Sequence, residues 1–416
     1  MLIEFSVENF RSFKDKVTLS LVPSTDKSKN NVLENYFEYA PNKKLLRTAV
    51  IYGANASGKT NTLKALSFMK NMVIKSHSFQ KNEGITTDPF KLHPASAIKP
   101  SIFDVQFISN GIRYAYGFKL DKEKIIEEYL YYWPNERQSV IFERRNVSEY
   151  KFVINKARQN TIKELTADNI LYFSNAYKLN FELVVDAYRW FNSTLNYNDN
   201  MLHGDVGIRQ LNNEKELLDL AIVTLEIADL GIKDLKIKEG EMDEKLINAF
   251  PQEIREMLKE QGVVKATSVH NVILENDETY SVEFNWQDES RGTRKFLNLI
   301  VPIIIAIRDG DVLCIDELDV SLHPKLTEYL LGLFHDKDLN KKNAQLIFTT
   351  HDTNLLNQDL FRRDQIWLTE KNSNTGSSDL YSLVELKIRN DENIEKGYLS
   401  GRYGAIPFIK GGNLIG

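Results

Sequence analysis

Residues 53–60 read Gly53-Ala-Asn-Ala-Ser-Gly58-Lys59-Thr60 and fit the pattern G-x-x-x-x-G-K-[ST] in full. The apolar run at 49–52 predicts a short buried strand before them, and apolar residues at helical spacing predict a helix over 60–74. Glycines in this setting let the backbone wrap closely around a phosphate, and the loop amides and helix N-terminus bind the anion. A chance glycine-rich turn is the weaker explanation, because the strand and the helix flank the pattern.

Each position of this loop has an expected part in binding a nucleotide. Lys59 is expected to reach the β- and γ-phosphates and to assist the chemistry, and the Thr60 hydroxyl is expected to bind Mg²⁺. The remaining nucleotide contacts are predicted for Gly53, Ala54, Asn55, Ala56, Ser57, Gly58 and Asn61.

A second motif, Val312-Leu-Cys-Ile-Asp316-Glu317, is an apolar run that ends in two acids. It has the form of a Walker B strand. Asp316 is then expected to hold Mg²⁺ through its water shell, and Glu317 to orient and polarise an attacking water. The alternative is a buried strand with acids in the following turn, and the phosphate-binding loop in the same chain makes that alternative less favoured.

A third motif, Glu289-Ser-Arg-Gly-Thr-Arg294, precedes a helix predicted over 292–309. Ser290 and Gly292 at a helix start form an anion site from a hydroxyl, free amides and the helix dipole. One protomer does not need a second such site for one nucleotide, so the site is expected to grip a γ-phosphate held by another protomer. The alternative is that Ser290 simply caps the helix.

A fourth motif combines residues 318–324, which contain Asp319 and His323, with Thr349-Thr-His351-Asp352. His351 follows an apolar run predicted as a strand over 345–349. A histidine there can hydrogen-bond a γ-phosphate and respond to its loss, although a structural histidine is the alternative. His323 is interpreted as structural, since Pro324 begins a predicted helix.

Composition fits a soluble protein of 416 residues, with 42% hydrophobic and 27% charged residues. The net charge of −5 is compatible with a nucleic-acid partner but does not indicate one. The single Cys314 cannot form an internal disulfide, and neither a signal peptide nor a membrane span is recognisable. We therefore expect a cytoplasmic protein that does not enter the membrane.

Element patterns divide the chain into three parts. Residues 1–180 contain the phosphate-binding loop and predicted hairpins, one of them turning at Asn110-Gly111. Residues 181–265 are predicted as a helical insertion, with a capping box of Asn213 and Glu216, and this insertion is a candidate partner-docking region. Residues 266–416 alternate helix and strand, which indicates a mostly parallel sheet. The expected class is α/β, with a mixed sheet core, an antiparallel β lobe and a helical insertion.

Together these motifs resemble those of the ABC-class ATPases of the SMC, RecF and OLD type. Among these, the sequence is most similar to the AAA-type ATPases of abortive-infection and other phage-defence operons (AbiL-, RloA- and PARIS-like). The resemblance is carried by Phe5-Ser-Val-Glu-Asn-Phe-Arg-Ser-Phe13, Tyr52-Gly-Ala-Asn-Ala-Ser-Gly-Lys-Thr-Asn61, the segment 289–294, Ile315-Asp-Glu-Leu-Asp-Val-Ser-Leu-His-Pro324, Thr349-Thr-His-Asp352 and Gly401-Arg-Tyr-Gly-Ala-Ile-Pro407.

The resemblance implies a P-loop NTPase of ABC-ATPase type that forms a head-to-tail homodimer, or a higher homo-oligomer, around two ATP molecules with Mg²⁺. One protomer would supply Lys59, Thr60, Asp316, Glu317 and His351, and the other Ser290, Gly292 and Asp319. Arg11 would lie near the nucleotide. Such ATPases carry a metal-contacting Gln in a loop that is expected near 173–180, where Lys178 or Asn175 stands instead. Either that loop lies elsewhere in the chain, or the metal is coordinated differently and turnover is slow.

The resemblance also implies the ATPase subunit of a two-component anti-phage system, with a separate effector, a nuclease or toxin, from the same operon. The residues after Pro407 leave no room for the nuclease domain of OLD-type proteins, which favours a separate effector. A RecF- or SMC-like DNA-repair ATPase and a slow-turnover, ATP-stabilised scaffold stay open as alternatives. A transporter ATPase subunit is the least favoured, because the first and last segments of the chain match the other branch.

Overall fold

The computed structural model describes residues 1–25, 35–198, 206–240, 263–275, 277–389 and 392–407. Its strands are β1 (Leu2–Glu8), β2 (Val17–Ser20), β3 (Tyr36–Ala40), β4 (Lys43–Leu46), β5 (Thr48–Gly53), β6 (Ser101–Ser109), β7 (Ile112–Leu120), β8 (Ile125–Trp133), β9 (Ser139–Arg145), β10 (Glu149–Phe152), β11 (Leu195–Asn198), β12 (Ile232–Gly240), β13 (Val263–Ile273), β14 (Thr279–Asn285), β15 (Val312–Ile315), β16 (Gln345–Thr349), β17 (Ile366–Lys371) and β18 (Ser378–Ser382). Its α-helices are α1 (Lys59–Lys75), α2 (Pro94–Ala97), α3 (Lys156–Glu164), α4 (Tyr172–Lys178), α5 (Val185–Arg189), α6 (Val206–Asn212), α7 (Lys215–Ile227), α8 (Arg291–Asp309), α9 (Pro324–His335) and α10 (Ile394–Leu399).

A six-stranded sheet in the order β11-β15-β16-β5-β17-β18 forms the centre of the protein. The first five strands run parallel, and β18 runs antiparallel to β17. Parallel strands covered on both faces need apolar side chains on both sides, and every residue of β5, β15 and β16 is buried. The predicted mostly parallel sheet is therefore confirmed.

Helices and a second sheet cover the two faces of this central sheet. Ala49 and Ile51 of β5 belong to one core, which they share with α1 and the antiparallel sheet. Val50 and Tyr52 belong to the other core, which contains the apolar face of α8. Successive side chains of a strand point to opposite faces, so β5 anchors both layers.

The antiparallel lobe is a seven-stranded sheet in the order β10-β9-β8-β7-β6-β1-β2. The hairpin β6–β7 turns at Asn110 and Gly111, which have φ angles of 48° and 73°, as the Asn-Gly signal predicts. Gln345 at the start of β16 ties this lobe to the central sheet, because its side chain accepts from Leu2 N–H at 2.6 Å and donates to Leu2 O at 3.1 Å.

The region 181–265, predicted as a helical insertion, is mixed in its described residues, so that prediction was wrong in part. Strand β11 joins the central sheet beside β15, and β12 begins a three-stranded sheet with β13 and β14. Leu235 and Ile237 alternate as in a strand with one buried face. The register shift between Ile232 and Asp234 lets the buried Ile232 share that face. Helical residues predicted at 246–261 fall outside the described ranges, and the three-part division of the chain stays a prediction.

Smaller corrections concern helix ends and short elements. The apolar residues 170–173 predict a strand, but the structure has the entry to α4 there. The alternation of helix and strand in the last third of the chain also predicts a helix at 353–357, where the structure has a single 3₁₀ turn, Thr353–Leu355. Helix α7 has Glu214 as its N-cap without a side-chain bond, so the capping box of Asn213 and Glu216 does not form. In contrast, β16 covers the predicted range 345–349, β15 covers the apolar run before Asp316, and α9 begins at Pro324 as predicted.

Candidate nucleotide-binding site

The carboxyl ends of three adjacent parallel strands bring the motifs together. Strand β5 runs into the phosphate-binding loop, β15 into Asp316 and Glu317, and β16 into Thr350 and His351. Since β16 lies between β15 and β5, its last residue separates the loop from the two acids. Segments distant in sequence thus meet at one edge of the sheet, where ligands of open α/β sheets bind.

The loop, residues 53–60, fits tightly against the neighbouring strands. A Cβ added to Gly53 would lie 2.4 Å from Thr369 O, and one added to Gly58 would lie 2.9 Å from Ser378 Oγ. Ser57 Oγ is 2.6 Å from Thr369 Oγ1, so β17 holds the loop from the side. The loop glycines are therefore required by space as well as by their backbone conformation.

Lys59 lies across the loop that precedes it. Its Nζ donates to Gly53 O at 2.8 Å and to Ala54 O at 3.1 Å, and the residue is 6% exposed. Burial lowers the pKa of Lys59 to about 8, against the opposing pull of Glu317, Asp316 and Asp319. The loop carbonyls hold the Lys59 ammonium group at the loop, where the sequence pattern expects it to meet phosphate oxygens. Its position therefore fits a bound triphosphate.

Thr60 and Asp316 meet directly, although 256 residues separate them in sequence. Thr60 Oγ1 donates to Asp316 Oδ1 at 3.2 Å, and Thr349 Oγ1 donates to the same oxygen at 2.6 Å. Asp316 is 5% exposed and lies at the end of the buried strand β15. The two predicted metal-binding side chains are thus brought together.

This pair fits a magnesium ion that arrives with a nucleotide. In the parts of the chain that the structure describes, no three His, Cys, Asp or Glu side chains converge into a metal site. Magnesium is usually bound through one or two protein oxygens together with substrate phosphates and water. A hydroxyl and a carboxylate beside a phosphate loop satisfy that requirement, whereas a protein-only cage does not form there.

Glu317 has a left-handed backbone, with φ of 52°. The amides on either side of this conformation are both held by β16: Glu317 N–H donates to Thr349 Oγ1 at 2.8 Å, and Leu318 N–H donates to Thr349 O at 3.1 Å. Left-handed backbone in a residue other than glycine is uncommon and persists where its surroundings fix it. Glu317 therefore sits in a constrained turn immediately beside the loop.

His351 lines the same cleft as the loop residues Gly53 and Asn55. Burial, and then the nearby Lys59 cation, lower the pKa of His351. Its backbone N–H lies 3.4 Å from Asp319 Oδ2 of the same chain. Asp319 thus lies beside its own chain's loop, and its predicted reach towards another protomer stays a prediction.

The segment 289–294 begins helix α8 as expected. Ser290 is its N-cap and accepts from Thr293 N–H at 3.0 Å, so the capping alternative describes its bonds in the single chain. Glu289 Oε1 is 2.7 Å from His270 Nε2 on β13, which fixes the start of the segment. Ser290 remains exposed, so capping and contact with a second ligand are compatible.

Arg11 lies in the turn between β1 and β2, next to a residue that touches the loop. Ser12 Oγ accepts from Asn61 Nδ2 at 2.8 Å, and Asn61 is one of the predicted nucleotide-binding residues. The Arg11 guanidinium itself pairs with Asp88 at 3.3 Å. Its neighbourhood agrees with the expected position, while its role towards a nucleotide stays a prediction.

The sequence predicts near 173–180 the loop in which Lys178 or Asn175 stands in place of the usual Gln, and the structure shows that this prediction was wrong. Helix α4 covers most of it, and Ser174 Oγ lies 3.1 Å from His77 Nδ1, just beyond the C-terminal end of α1. That end is roughly 25 Å from the phosphate-binding loop, given a 17-residue helix. Asn175 is instead used structurally, because its side chain donates to Leu165 O. Strand β11 is the better candidate, since Asn198 aligns with Ile315, directly before Asp316.

The motif at 401–407 forms a compact unit with α10 beside the loop. Tyr398 OH donates to Ala405 O at 3.1 Å, and the Tyr398 ring lies 5.9 Å from that of Tyr52. Tyr52 OH in turn donates to Asp352 O at 3.0 Å, next to His351. A cleft of about 690 Å³ separates this unit from the loop and is lined by Asn55, His351, Leu399 and Pro407, among others.

Sequence reasoning missed several residues that complete the site. Thr349 was quoted as the first residue of the motif with His351 but was given no role, Thr369 lies in a buried run without a motif, and Ser12 belongs to a segment quoted only for its resemblance. Lys295 lies near Glu317 and Asp319, which oppose the lowering of its pKa by burial. The sequence did contain a signal for Lys295. It lies four residues after Arg291 of the segment 289–294, and residues four apart share one face of a helix.

The fold and these contacts define an AAA-type P-loop ATPase domain with its phosphate-binding loop and acid strand assembled. A profile of the family described as "AAA domain, putative AbiEii toxin, Type IV TA system" matches residues 49–357, which is more than half of the chain. The chain belongs to this family. No curated protein matches the chain.

The matched range, 49–357, begins at β5 and passes through the segment 289–294, β15 and β16 to the His351 turn. It therefore includes every predicted site residue except Arg11. None of the described helices combines the length and apolar character needed to cross a lipid bilayer.

Proposed function

We propose that this protein binds ATP with Mg²⁺ and hydrolyses it slowly. The observation that carries the proposal is the contact of Thr60 with Asp316, held by Thr349, at the mouth of the phosphate-binding loop. Lys59 is buried in the loop and cationic below about pH 8. A hydroxyl, a carboxylate and a lysine in this arrangement match what a metal-bound triphosphate requires.

The chain's own residues divide the work around the nucleotide. Lys59 binds the β- and γ-phosphates, and the loop amides from Gly53 to Thr60 surround the phosphate chain. Thr60 and Asp316 hold the metal, which neutralises phosphate charge when bound. Glu317 orients the attacking water, and His351 contacts the γ-phosphate from the far side. The constrained backbone of Glu317 and the nearness of Lys59 to His351 support these two assignments.

A second copy of the chain completes the site in this proposal, as in ABC-class ATPases. Ser290 and Gly292 of one protomer approach the γ-phosphate bound by the other, and Asp319 lines the junction. Support comes from the exposure of Ser290 at the N-terminus of α8, a helix of 19 residues with a substantial dipole. The assembly is a homodimer or a higher homo-oligomer.

We place this ATPase in the cytoplasm, in a two-component anti-phage system of the abortive-infection type. Its nucleotide state controls a separate effector, a nuclease or toxin encoded in the same operon. Support comes from the family description, which names a putative toxin and a toxin–antitoxin system. The described helices 206–227 and the cleft beside the 401–407 motif are surfaces on which such control could act.

Single-turnover measurements test the enzymatic part. Wild-type protein should convert bound ATP to ADP with Mg²⁺ present, whereas Glu317→Gln should bind ATP equally well and hydrolyse it at least about 100-fold more slowly. Lys59→Ala should lose most nucleotide affinity. If the wild type is as slow as Glu317→Gln, ATP is a structural ligand and the scaffold alternative replaces this proposal.

The biological part has its own test. Phage plating on cells that carry the native operon, with wild-type or Glu317→Gln protein, should show protection that depends on the ATPase and on the neighbouring gene. The neighbouring product should co-purify with the chain. Strong stimulation of ATP turnover by DNA, with binding that weakens steeply with salt, would favour the RecF-like alternative instead.

A further inference from the structure

Thr349 occupies the position between the phosphate-binding loop and the two acids. It is the last residue of β16, it is fully buried, and it pairs in register with Ile51 of β5. On the other side, Phe348 pairs with Ile315, so Thr349 is level with Asp316. In the sequence Thr349 only begins the motif that contains His351, and that motif gave it no role of its own.

The Thr349 hydroxyl bonds to both acidic residues at once. It donates its proton to Asp316 Oδ1 at 2.6 Å and accepts the Glu317 N–H at 2.8 Å. A hydroxyl carries one donor proton and two acceptor lone pairs, so the two bonds do not compete. The bond to the carboxylate is of the charge-assisted kind, which is shorter and stronger than a neutral one.

The backbone of Thr349 adds a second restraint. Its carbonyl accepts Leu318 N–H at 3.1 Å, so the amides of Glu317 and of the next residue both end on Thr349. Between these bonds Glu317 has its left-handed φ of 52°. A conformation of this kind is retained where neighbouring groups over-determine it.

We propose that Thr349 is a positioning residue that sets the orientation of the metal-binding Asp316 and of the water-orienting Glu317 together; this inference rests on the function proposed above. Thr60 also bonds Asp316 but has a second task at the metal, so it cannot fix the carboxylate alone. Thr349 is buried and has no such task. Residues behind metal ligands commonly govern metal affinity and activity in this way.

The test compares Thr349→Val, which keeps the shape and removes the hydroxyl, with Thr349→Ser, which keeps the hydroxyl. The matched control is Thr48→Val. Thr48 is equally buried, begins the adjacent strand β5 at the opposite end of the sheet, and bonds through Oγ1 to His335 Nε2 and Gln365 Nε2. Each protein is assayed for the Mg²⁺ concentration that gives half-maximal binding of a fluorescent ATP analogue, and for single-turnover ATP hydrolysis.

We expect Thr349→Val to need about 10- to 100-fold more Mg²⁺ and to hydrolyse ATP about 10- to 100-fold more slowly. Thr349→Ser should recover most of both losses. Thr48→Val should lose thermal stability yet keep the wild-type Mg²⁺ requirement and rate. If Thr349→Val does not fold, Thr349→Ala provides the same comparison against Thr349→Ser.

A Thr349→Val protein with the wild-type Mg²⁺ requirement and rate would overturn the inference, as would a Thr349→Ser protein as impaired as the valine variant. The proposed function fails in a different way, through a wild type that binds the analogue but never hydrolyses ATP. The Mg²⁺ dependence of analogue binding still decides the role of Thr349 in that case.

Discussion

Two regions of this molecule present glycine and hydroxyl groups at the start of a helix, yet they are built differently. In the loop at 53–60, Gly53 and Gly58 have no space for a Cβ, and Thr60 bonds across the sheet edge to Asp316. In the segment 289–294, Ser290 is exposed and bonds to Thr293 in its own first turn, while a Cβ on Gly292 would approach Ser321 O at 3.2 Å. The first region is fixed by tertiary packing and the second mainly by local bonds.

This difference separates a site that one chain assembles by itself from an exposed segment that would act on a second copy of the chain. Packing of β5, β15 and β16 holds the loop, the metal-binding pair and Glu317 together through contacts of the protein itself, and contacts of this kind preorganise a binding site. The segment 289–294 presents a similar anion-binding end to the outside, with its cap already formed. The contrast leads to variants that should affect the two regions unequally.

The largest effect is expected from Gly53→Ala. The new Cβ would lie 2.4 Å from Thr369 O and 2.5 Å from Ser57 Oγ, so the loop must shift. Strain of about 1 to 3 kcal/mol at the binding loop corresponds to roughly 5- to 150-fold weaker nucleotide binding. Titration with a fluorescent ATP analogue measures the affinity, and circular dichroism checks that the protein is folded.

Gly292→Ala is the matched control for Gly53→Ala, since it makes the same chemical change in the other region. Its Cβ meets Ser321 O at 3.2 Å, which a small shift relieves. Nucleotide affinity measured at low protein concentration should stay at the wild-type value. An equal loss of nucleotide affinity in both variants would contradict the distinction between the loop at 53–60, which tertiary packing fixes, and the segment 289–294, which local bonds fix.

Ser290→Asp separates the two roles of the segment 289–294. Aspartate is as good an N-cap as serine, so α8 should keep its stability. A carboxylate facing a γ-phosphate held by another copy should repel it, and turnover should fall by about 10-fold or more. The rates are measured across protein concentrations that span the monomer–dimer transition, determined by sedimentation.

Wild-type turnover by Ser290→Asp at every concentration would show that Ser290 is only a helix cap. Ser290→Ala should instead lower the thermal midpoint, because loss of the cap costs about 1 kcal/mol. The pair of variants therefore distinguishes stability from catalysis at one position.

The sequence predicts the site best where a motif and an element boundary coincide. The loop at 53–60, the acids after β15 and the cap of α8 all lie at the ends of strongly apolar or periodic segments, and the structure places them as the patterns indicate. Thr349 could not be recognised in this way, because its role depends on β16 lying between β5 and β15. Strand order is a tertiary property that local patterns do not contain.

The errors have a common cause in short elements. Residues 170–173 are apolar and were assigned to a strand, but the N-terminus of α4 is fixed by the buried Glu128, which accepts Tyr172 N–H at 2.7 Å and Phe173 N–H at 3.0 Å. A carboxylate from another strand that binds free helix amides is invisible to periodicity.

A smaller change in nucleotide affinity is expected from pH, and it should come from Lys59 in the loop at 53–60. The pKa of Lys59 is lowered by burial to about 8, so the lysine loses its proton in the free protein above that pH, while triphosphate binding requires the cation. Nucleotide affinity should therefore be constant below about pH 7 and fall as pH rises through 8, by at most about tenfold per pH unit.

Two variants make the pH measurement specific. Lys59→Arg should flatten the profile above pH 8, because arginine stays protonated, and Gly292→Ala should keep the wild-type profile. Calorimetry in buffers of different ionisation enthalpy should detect proton uptake on binding near pH 9. A constant dissociation constant from pH 7 to 9.5 would contradict the assignment.

The smallest predicted effect tests whether the C-terminal unit supports the loop region in particular. Tyr398→Phe removes the bond to Ala405 O but keeps the ring near Tyr52, so it should cost about 1 kcal/mol of unfolding free energy. Tyr280→Phe is a control outside both regions, because Tyr280 is 61% exposed on β14 and should change stability by less than about 0.5 kcal/mol. Urea midpoints measure the stability of both variants.

Tyr52 also bonds the backbone next to His351. A lower urea midpoint in Tyr398→Phe together with a slightly slower single turnover would therefore mean that the C-terminal unit acts on the nucleotide site as well as on stability. Equal urea midpoints in Tyr398→Phe and Tyr280→Phe would mean that the motif at 401–407 does not stabilise the loop region.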